Sequence, residues 1–519
     1  KNATFQDIDH LITRYRDACE KTIFSDFDFA TSKHVEARLW DAHGKINNKF
    51  RKNLGRFREE HGNKKPVELR KMIKHYLDFI KASQRFYRAY VQRLSTQFGG
   101  VPELELVAQK FKVGGAADLQ SRPLPRNQRQ ILLSCHQTLV RLGDLSRYRE
   151  SDLNTKEPNW GPAIGYYDLA GVIYPASGAS HNQLAVIALA DGNHFRATYH
   201  LYRALAADEP HPTARGNLEI ELKKILAAWD KGELITTGSG EKSDAARALL
   251  AWFVRLHARC YRGQDFAEHE ELENEVLGQL VVDLKERSLD TTLPKVILTN
   301  VAAEFFAGVR VEADPECRDN VQAYFFFLRL NVKTFFALLQ VLNGEVQTGE
   351  MADKISSVTR RILPGLRHCS TWLVANSALL AAQVGDNSLN VQIKEMWRMY
   401  ASSLTLLAAT FAAETLPAAE YLLEEDEDTL GFKPFDTNAT KSRYYVGDKK
   451  KPRSYDVRVK RHHPNVEMLV RVRDFLTDGV ELAVRVLYRQ PTDMGSKPNR
   501  NQKQTQIQTQ TPTRQNQRR

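Results

Sequence analysis

The sequence predicts an all-α protein, and three observations carry that prediction. Apolar residues recur at three- and four-residue spacing along most of the chain, and the alternating pattern of strands joined by hairpin turns is scarce. In addition, small residues repeat at the intervals where paired antiparallel helices touch.

Taken in order, Phe5, Ile8, Leu11, Ile12 and Tyr15 predict a first helix with one apolar face. Val35, Leu39 and Trp40 open a second. A third and longer one follows from Leu69, Ile73, Tyr76, Leu77, Ile80, Phe86, Tyr87 and Val91, with Pro66 placed where a first-turn proline belongs. Residues 99–125, rich in Gly and Pro, read as a loop with at most one short helix. A strong helix is expected over 127–148.

The repeat comes next. Ala163, Tyr167, Ala170 and Pro175 follow Leu142 and Gly143; Ala197, Ala204 and Pro210 follow Leu184 and Ala185. The second set has tetratricopeptide spacing, in which small residues let two helices approach closely. Beyond about residue 212 long helices succeed one another, over 218–229, 245–260, 267–286, 295–309, 321–342 and 374–411, with a last one over 465–488.

The expected organisation is an N-terminal domain over 1–212, a helical-hairpin, α-solenoid-like domain over 213–490 and a tail. The second domain carries a charged flexible insert at about 424–462, and 491–519 form a disordered basic tail rich in Gln and Thr.

The 519 residues exceed what one core usually serves. With 42% hydrophobic and 26% charged residues, the composition excludes a mostly disordered or collagen-like chain. The longest uninterrupted apolar runs are far too short to span a bilayer, so no membrane role is expected. The chain starts at Lys1 with no charged-then-apolar leader, as expected of a fragment without a signal peptide. Five scattered cysteines with no CxxC pair point to a reducing compartment and away from a structural zinc site.

The net charge of +11 is concentrated. Residues 45–89 hold fourteen Lys and Arg against four acids, and the last 25 residues hold six with no acid. Such local excess implies an anionic partner, the alternative being a solvated basic helix face. Aromatics among these cations (Phe50, Phe57, Tyr76, Phe79, Phe86, Tyr87, Tyr90) suit base stacking, or else form core at helical spacing. A second basic block includes Lys449, Lys450, Lys451, Arg453, Lys460 and Arg461, which are the nucleic-acid-binding candidates.

No phosphate loop, dinucleotide fingerprint, GxSxG or HExxH motif is present. His462 and His463 read as surface residues, and Glu270, Glu271, Glu273 and Glu275 as a solvated helix face. No enzyme activity, metal or cofactor is expected.

Two stretches carry a resemblance. The motif LGDLSRYR at 142–149, then Tyr166 and Tyr167, then HNQLA at 181–185 and the alanine-rich run ending in Pro210, resemble the central block of the telomerase-associated "ever shorter telomeres" and SMG adaptor family. LWDAHGK at 39–45 is similar to the family's LW-x4-K helix, with Gly44 standing before the lysine where the family has another residue.

The resemblance implies a 14-3-3-like N-terminal domain with tetratricopeptide character. It also implies a phosphopeptide site at Lys45, Lys52, Arg147, Tyr148 and Asn182. An Arg fork with Lys point charges suits a phosphate, because charge-assisted hydrogen bonds are about twice as strong as neutral ones. Each residue has a plainer alternative: a salt bridge from Arg147 to Asp144, ordinary surface placement for Lys45, core packing for Tyr148, and bracing of the repeat for Asn182.

The implied function is an adaptor of nonsense-mediated mRNA decay in nucleus and cytoplasm, recognising a phosphorylated up-frameshift-type RNA helicase and recruiting decay factors. The alternative is a telomerase accessory subunit binding telomerase RNA or single-stranded telomeric DNA. A homodimer or a heterodimer with a paralogue is among the implied partners.

Overall fold

Helix dominates the computed structural model, which describes residues 5–61, 64–98, 100–112, 125–153, 157–234, 241–347, 355–382, 386–456 and 458–487. The tail expected at 491–519 lies outside them. Contacts divide the chain into two compact units, 1–187 and 188–519.

The first unit holds α1 (Phe5–Ser25), α2 (Phe27–Ser32), α3 (Val35–His61), α4 (Pro66–Gln97), α5 (Pro102–Lys110), α6 (Gln128–Asp152), α7 (Gly161–Ile173) and most of α8 (Ala179–Ala190). Its core gathers Ile80, Tyr87, Val91 and Leu94 of α4 against Ile131, Cys135, Leu139 and Leu142 of α6. The basic segment's aromatics are mostly core: Phe50, Tyr76, Phe79, Tyr87 and Tyr90 are buried, and Phe57 and Phe86 half-buried. They are not a stacking platform.

The buried side of α1 is Ile12, Arg16, Cys19 and Ile23, whereas Leu11 and Tyr15, expected on the apolar face, are exposed. The face is shifted because Arg16 is buried: its Nε donates to His43 Nε2 at 3.0 Å and its Nη2 to Ser83 Oγ at 2.7 Å. The helix α2 was not expected. Asp26 caps it by accepting the Phe29 N–H at 2.9 Å.

The second unit holds α9 (His194–Leu205), α10 (Ala214–Asp230), α11 (Glu241–Arg262), α12 (His269–Glu286), α13 (Leu293–Ala313), α14 (Arg318–Gln347), α15 (Ser357–Ala381), α16 (Asn387–Thr410), α17 (Glu424–Asp428), α18 (Lys441–Tyr444) and α19 (Pro464–Leu487). A two-residue hairpin pairs Tyr445 and Val446 with Lys450 and Lys449.

The dividing line therefore precedes the expected 212. The reason is that α9 packs with α10, α11 and α13, its Phe195 and Tyr202 meeting Phe253, His257 and Phe327.

The single helix expected over 374–411 is two helices, and α15 was missed. Proline and glycine usually interrupt a helix, yet α15 runs through both Pro364 and Gly365. Gly365 lets α13 lie close: a Cβ would stand 2.8 Å from the terminal methyls of Leu293 and Ile297, which would have to shift. The long α14 is apolar enough by composition to cross a membrane. Its apolar residues, Phe327, Phe335, Leu338 and Leu342 among them, are instead buried, with α13, α15 and α16 packed around it.

The segment 424–462 is not a flexible insert. Glu425 and Asp426 are buried, and Arg367 of α15 donates to Glu425 at 2.5 Å and to Asp426 at 3.0 Å. Arg471 of α19 grips Glu425 with two bonds of 2.8 and 2.9 Å. Glu273, expected on a solvated face, is likewise buried and paired with Arg329 and Lys333 at 3.3 and 2.5 Å.

Glu304 is a buried acid with no cation beside it among the described residues, accepting from Asn331 at 2.5 Å and Trp372 Nε1 at 2.9 Å. Burial pushes its pKa from 4.5 to about 7, against the pull of those two donors. The folded unit thus keeps a proton that the unfolded chain releases near pH 4.5, so stability falls as pH rises through 4.5–7. Glu304→Gln keeps an acceptor oxygen and removes this dependence. Urea unfolding at pH 4.5 and pH 8 is expected to show the variant gaining about 3 kcal/mol on wild type between the two; parallel pH profiles would refute it.

Candidate phosphate-binding site

The motif 142–149 has a structural logic in the first unit. A Cβ on Gly143 would lie 2.3 Å from Cε1 of Tyr167, so only glycine lets α7 approach α6 this closely. The Tyr167 hydroxyl donates to Asp144 Oδ1 at 2.7 Å, and Arg147 Nη2 donates to the same oxygen at 3.0 Å. Arg147 Nε donates to the Tyr167 hydroxyl at 3.3 Å, and its Nη2 also reaches Gln183 Oε1 of α8 at 3.4 Å.

Three helices therefore aim one guanidinium, whose side chain remains 17% exposed. Burial opposes its charge, but Tyr167 and Asp144 more than offset that. The salt bridge to Asp144 is real, and it orients Arg147 without enclosing it.

Tyr148 is half-buried against the core, and the Arg147 guanidinium lies 4.9 Å from its ring centre. Burial, then the Asp144 charge, raises its hydroxyl above the ordinary value, so it stays protonated and able to donate. Arg51 of α3 sits 5.7 Å from the same ring and is held by Asp152 at 3.0 Å.

The second motif, 39–45, anchors α3. Leu39 and His43 are buried. His43 accepts from Arg16 on Nε2, and its Nδ1 donates to the Leu39 carbonyl at 2.8 Å. Burial, reinforced by Arg16, lowers its pKa to about 3, so the ring is neutral. With that face inward, Lys45 and Lys52 are exposed, seven residues apart on one side of α3. Neither is paired with an acid among the described residues.

Glu36 pairs with Arg141 at 3.4 Å and Arg51 with Asp152, so α3 and α6 run in the same direction. Lys45 and Arg147 both fall between these two pairings. Arg51 and Gly44 share the side of α3 one residue round from Lys52 and Lys45.

The structure thus joins Arg147, Tyr148 and Arg51 directly and leaves Lys45 and Lys52 on the adjoining exposed strip. Asn182 is buried, and its neighbour Gln183 is the residue that reaches Arg147. Sequence reasoning missed Arg51, Tyr167 as an orienting group, and Gln183. The place of Arg51 beside Lys52 in the basic run was the available signal.

The other basic candidates lie in the second unit. Lys449 and Lys450 are exposed on the hairpin, and Lys460 and Arg461 are exposed nearby in sequence, Arg461 donating to Glu467 at 3.1 Å. Arg453 is buried, and Lys451 is half-buried with its pKa lowered by burial. These two do not belong to an open basic surface. No metal-binding group of His, Cys, Asp and Glu occurs among the described residues.

Residues 163–438 match the family model of the Est1 DNA/RNA binding domain, and residues 34–151 match that of the telomerase activating protein Est1. The chain belongs to the Est1 family. The two motifs of the site fall within the second match, and the helical-hairpin unit provides most of the first.

Among its relatives, this Est1-family chain is 28% identical over 235 residues to the nonsense-mediated mRNA decay factor SMG7 of Arabidopsis thaliana, covering 43% of the chain and 22% of SMG7. It is also 28% identical over 205 residues to the telomere elongation protein est1 of Schizosaccharomyces pombe, covering 37% of the chain and 39% of that protein. The chain spans about a fifth of the length of the plant SMG7 it matches. The fold is like that in the crystal structure of Est1 and Cdc13, with a TM-score of 0.65 at 14% identity over 91% of this chain and 92% of that one.

Proposed function

We propose that the protein is an adaptor that binds phosphoserine or phosphothreonine peptides in nonsense-mediated mRNA decay. Its partner is a phosphorylated up-frameshift-type RNA helicase, and it recruits decay factors in nucleus and cytoplasm rather than performing chemistry. The observation that carries this reading is Arg147, held by Asp144, Tyr167 and Gln183 with its side chain still 17% exposed. A pre-oriented fork loses little freedom on meeting a phosphate, and Lys45, Lys52 and Arg51 add charge along α3. The similarity to SMG7 supports the same reading.

The test is fluorescence anisotropy with a Ser-Gln peptide, phosphorylated and unphosphorylated. The phosphopeptide is expected to bind, and the plain peptide not. Lys45→Glu/Arg147→Glu is expected to weaken binding at least about 100-fold, since each charge-assisted bond contributes about 1.5–3 kcal/mol. Equal affinity for the two peptides would overturn the proposal.

A second reading, a telomerase accessory subunit binding RNA or single-stranded DNA, is favoured by the match of 163–438 to a DNA/RNA-binding family model and by the similarity to fission-yeast est1. It is supported if neither peptide binds while an oligonucleotide binds with a steep salt dependence.

A further inference from the structure

A cavity of about 410 Å³ opens between α10, α11 and the C-terminal end of α13 in the second unit. Its floor is aliphatic: Leu222 and Leu226 of α10 and Ala258 of α11 are all buried. Its rim is cationic. Lys223 and Arg262, on different helices, are both exposed, and neither is paired with an acid among the described residues. Arg310 lies 4.4 Å from the ring centre of Tyr261 and donates to the Tyr261 carbonyl at 2.8 Å.

Glu219, the one acid among the described residues that line it, is engaged. It accepts from the Tyr261 hydroxyl and from Arg215 Nε, each at 3.1 Å. What remains outward is positive charge around an apolar floor, far from the motifs of the phosphate site in sequence.

We propose that this cavity docks an acidic peptide segment, one apolar side chain entering over Leu222, Leu226 and Ala258 while flanking carboxylates meet Lys223 and Arg262. The chemistry favours a peptide over a nucleic acid. Base stacking needs an open aromatic face; the Tyr261 ring carries Arg310 against it and lies nearly parallel to Phe306, with centres 6.5 Å apart. The floor offers methyl groups in place of a ring. A cavity of this size takes one or two side chains, and the unpaired cations supply the charge complementarity that selects an acidic segment.

The experiment is selection of random twelve-residue peptides displayed on phage against the whole chain, with counter-selection on Lys223→Glu/Arg262→Glu. Enriched peptides are then measured by anisotropy. They are expected to share an apolar residue flanked by at least two acids. Binding should weaken at least about tenfold with the rim variant, with Ala258→Leu, which fills the floor, and with serine in place of the apolar residue.

The rim substitutions lie on exposed residues, so they keep the test valid if Ala258→Leu fails to fold. Lys45→Glu/Arg147→Glu should leave this binding unchanged, which separates it from the phosphate site. No enrichment, enriched peptides without acids, or equal binding to the rim variant would each overturn the proposal. So would an oligo(dT) that binds wild type and is lost in the rim variant while no peptide is enriched.

Discussion

Arg367→Leu is expected to cost the second unit about 3–5 kcal/mol, the range for removing one partner of a buried ion pair. Arg367 is the hub of a network in which its guanidinium reaches Glu425 at 2.5 Å, Asp426 at 3.0 Å and Asp474 at 2.7 Å. Its side chain is 2% exposed. Burial works against both neighbouring carboxyls. For Glu425, Arg367 and Arg471 prevail and hold it far below its usual range, whereas burial prevails at Asp426 and raises it.

Leucine at 367 leaves Glu425 with Arg471 but takes from Asp426 the only guanidinium bonded to it among the described residues. Urea unfolding followed by circular dichroism measures the loss. Adding Asp426→Asn should recover part of it, because the orphaned charge is then gone. A loss below about 1 kcal/mol, or strict additivity of the two changes, would show that the network does not act as a unit.

Gly143→Ala is the second large effect, and it couples fold to site. A new Cβ 2.3 Å from a ring that is fully buried has no room, so Tyr167 must move. The cost expected is about 1–3 kcal/mol, typical of overpacking. Moving Tyr167 also withdraws its bonds to Asp144 and Arg147, so phosphopeptide affinity should fall together with the melting temperature.

Gly44→Ala is the control. Nothing stands within 4 Å of its Cβ position, and alanine in a helix interior is worth roughly 1 kcal/mol over glycine. That variant should be as stable as wild type or more so, with affinity unchanged. If Gly143→Ala behaves like the control, the close approach of α6 and α7 does not position Arg147.

Most helices were legible because their signals are local. Spacing of three and four residues marked α3, α4 and α6, and Pro66 marked the start of α4 within a residue of where it lies. The LGD motif was legible as a pattern, and its partners were not. That Arg147 is held by Tyr167 and Gln183 depends on α7 and α8 crossing α6, which no spacing within 142–149 encodes. The buried Asn182 and the bonded Gln183 are neighbours, so only the angle of α8 decides which one faces the guanidinium.

The sequence by itself determined the all-α class, the order of most of the long helices, the small-residue repeat and the placing of the basic segment. Each of these follows from propensity and periodicity within a few turns. Tertiary structure alone decided that α15 continues through Pro364, since its loss of one backbone hydrogen bond is offset by packing against α13 and α19. It also decided that Glu425 and Asp426, within the acidic run at 424–428, are a buried anchor and not part of a flexible insert. A carboxylate goes inside when a guanidinium meets it there, and Arg367 and Arg471 stand 58 and 46 residues away from Glu425.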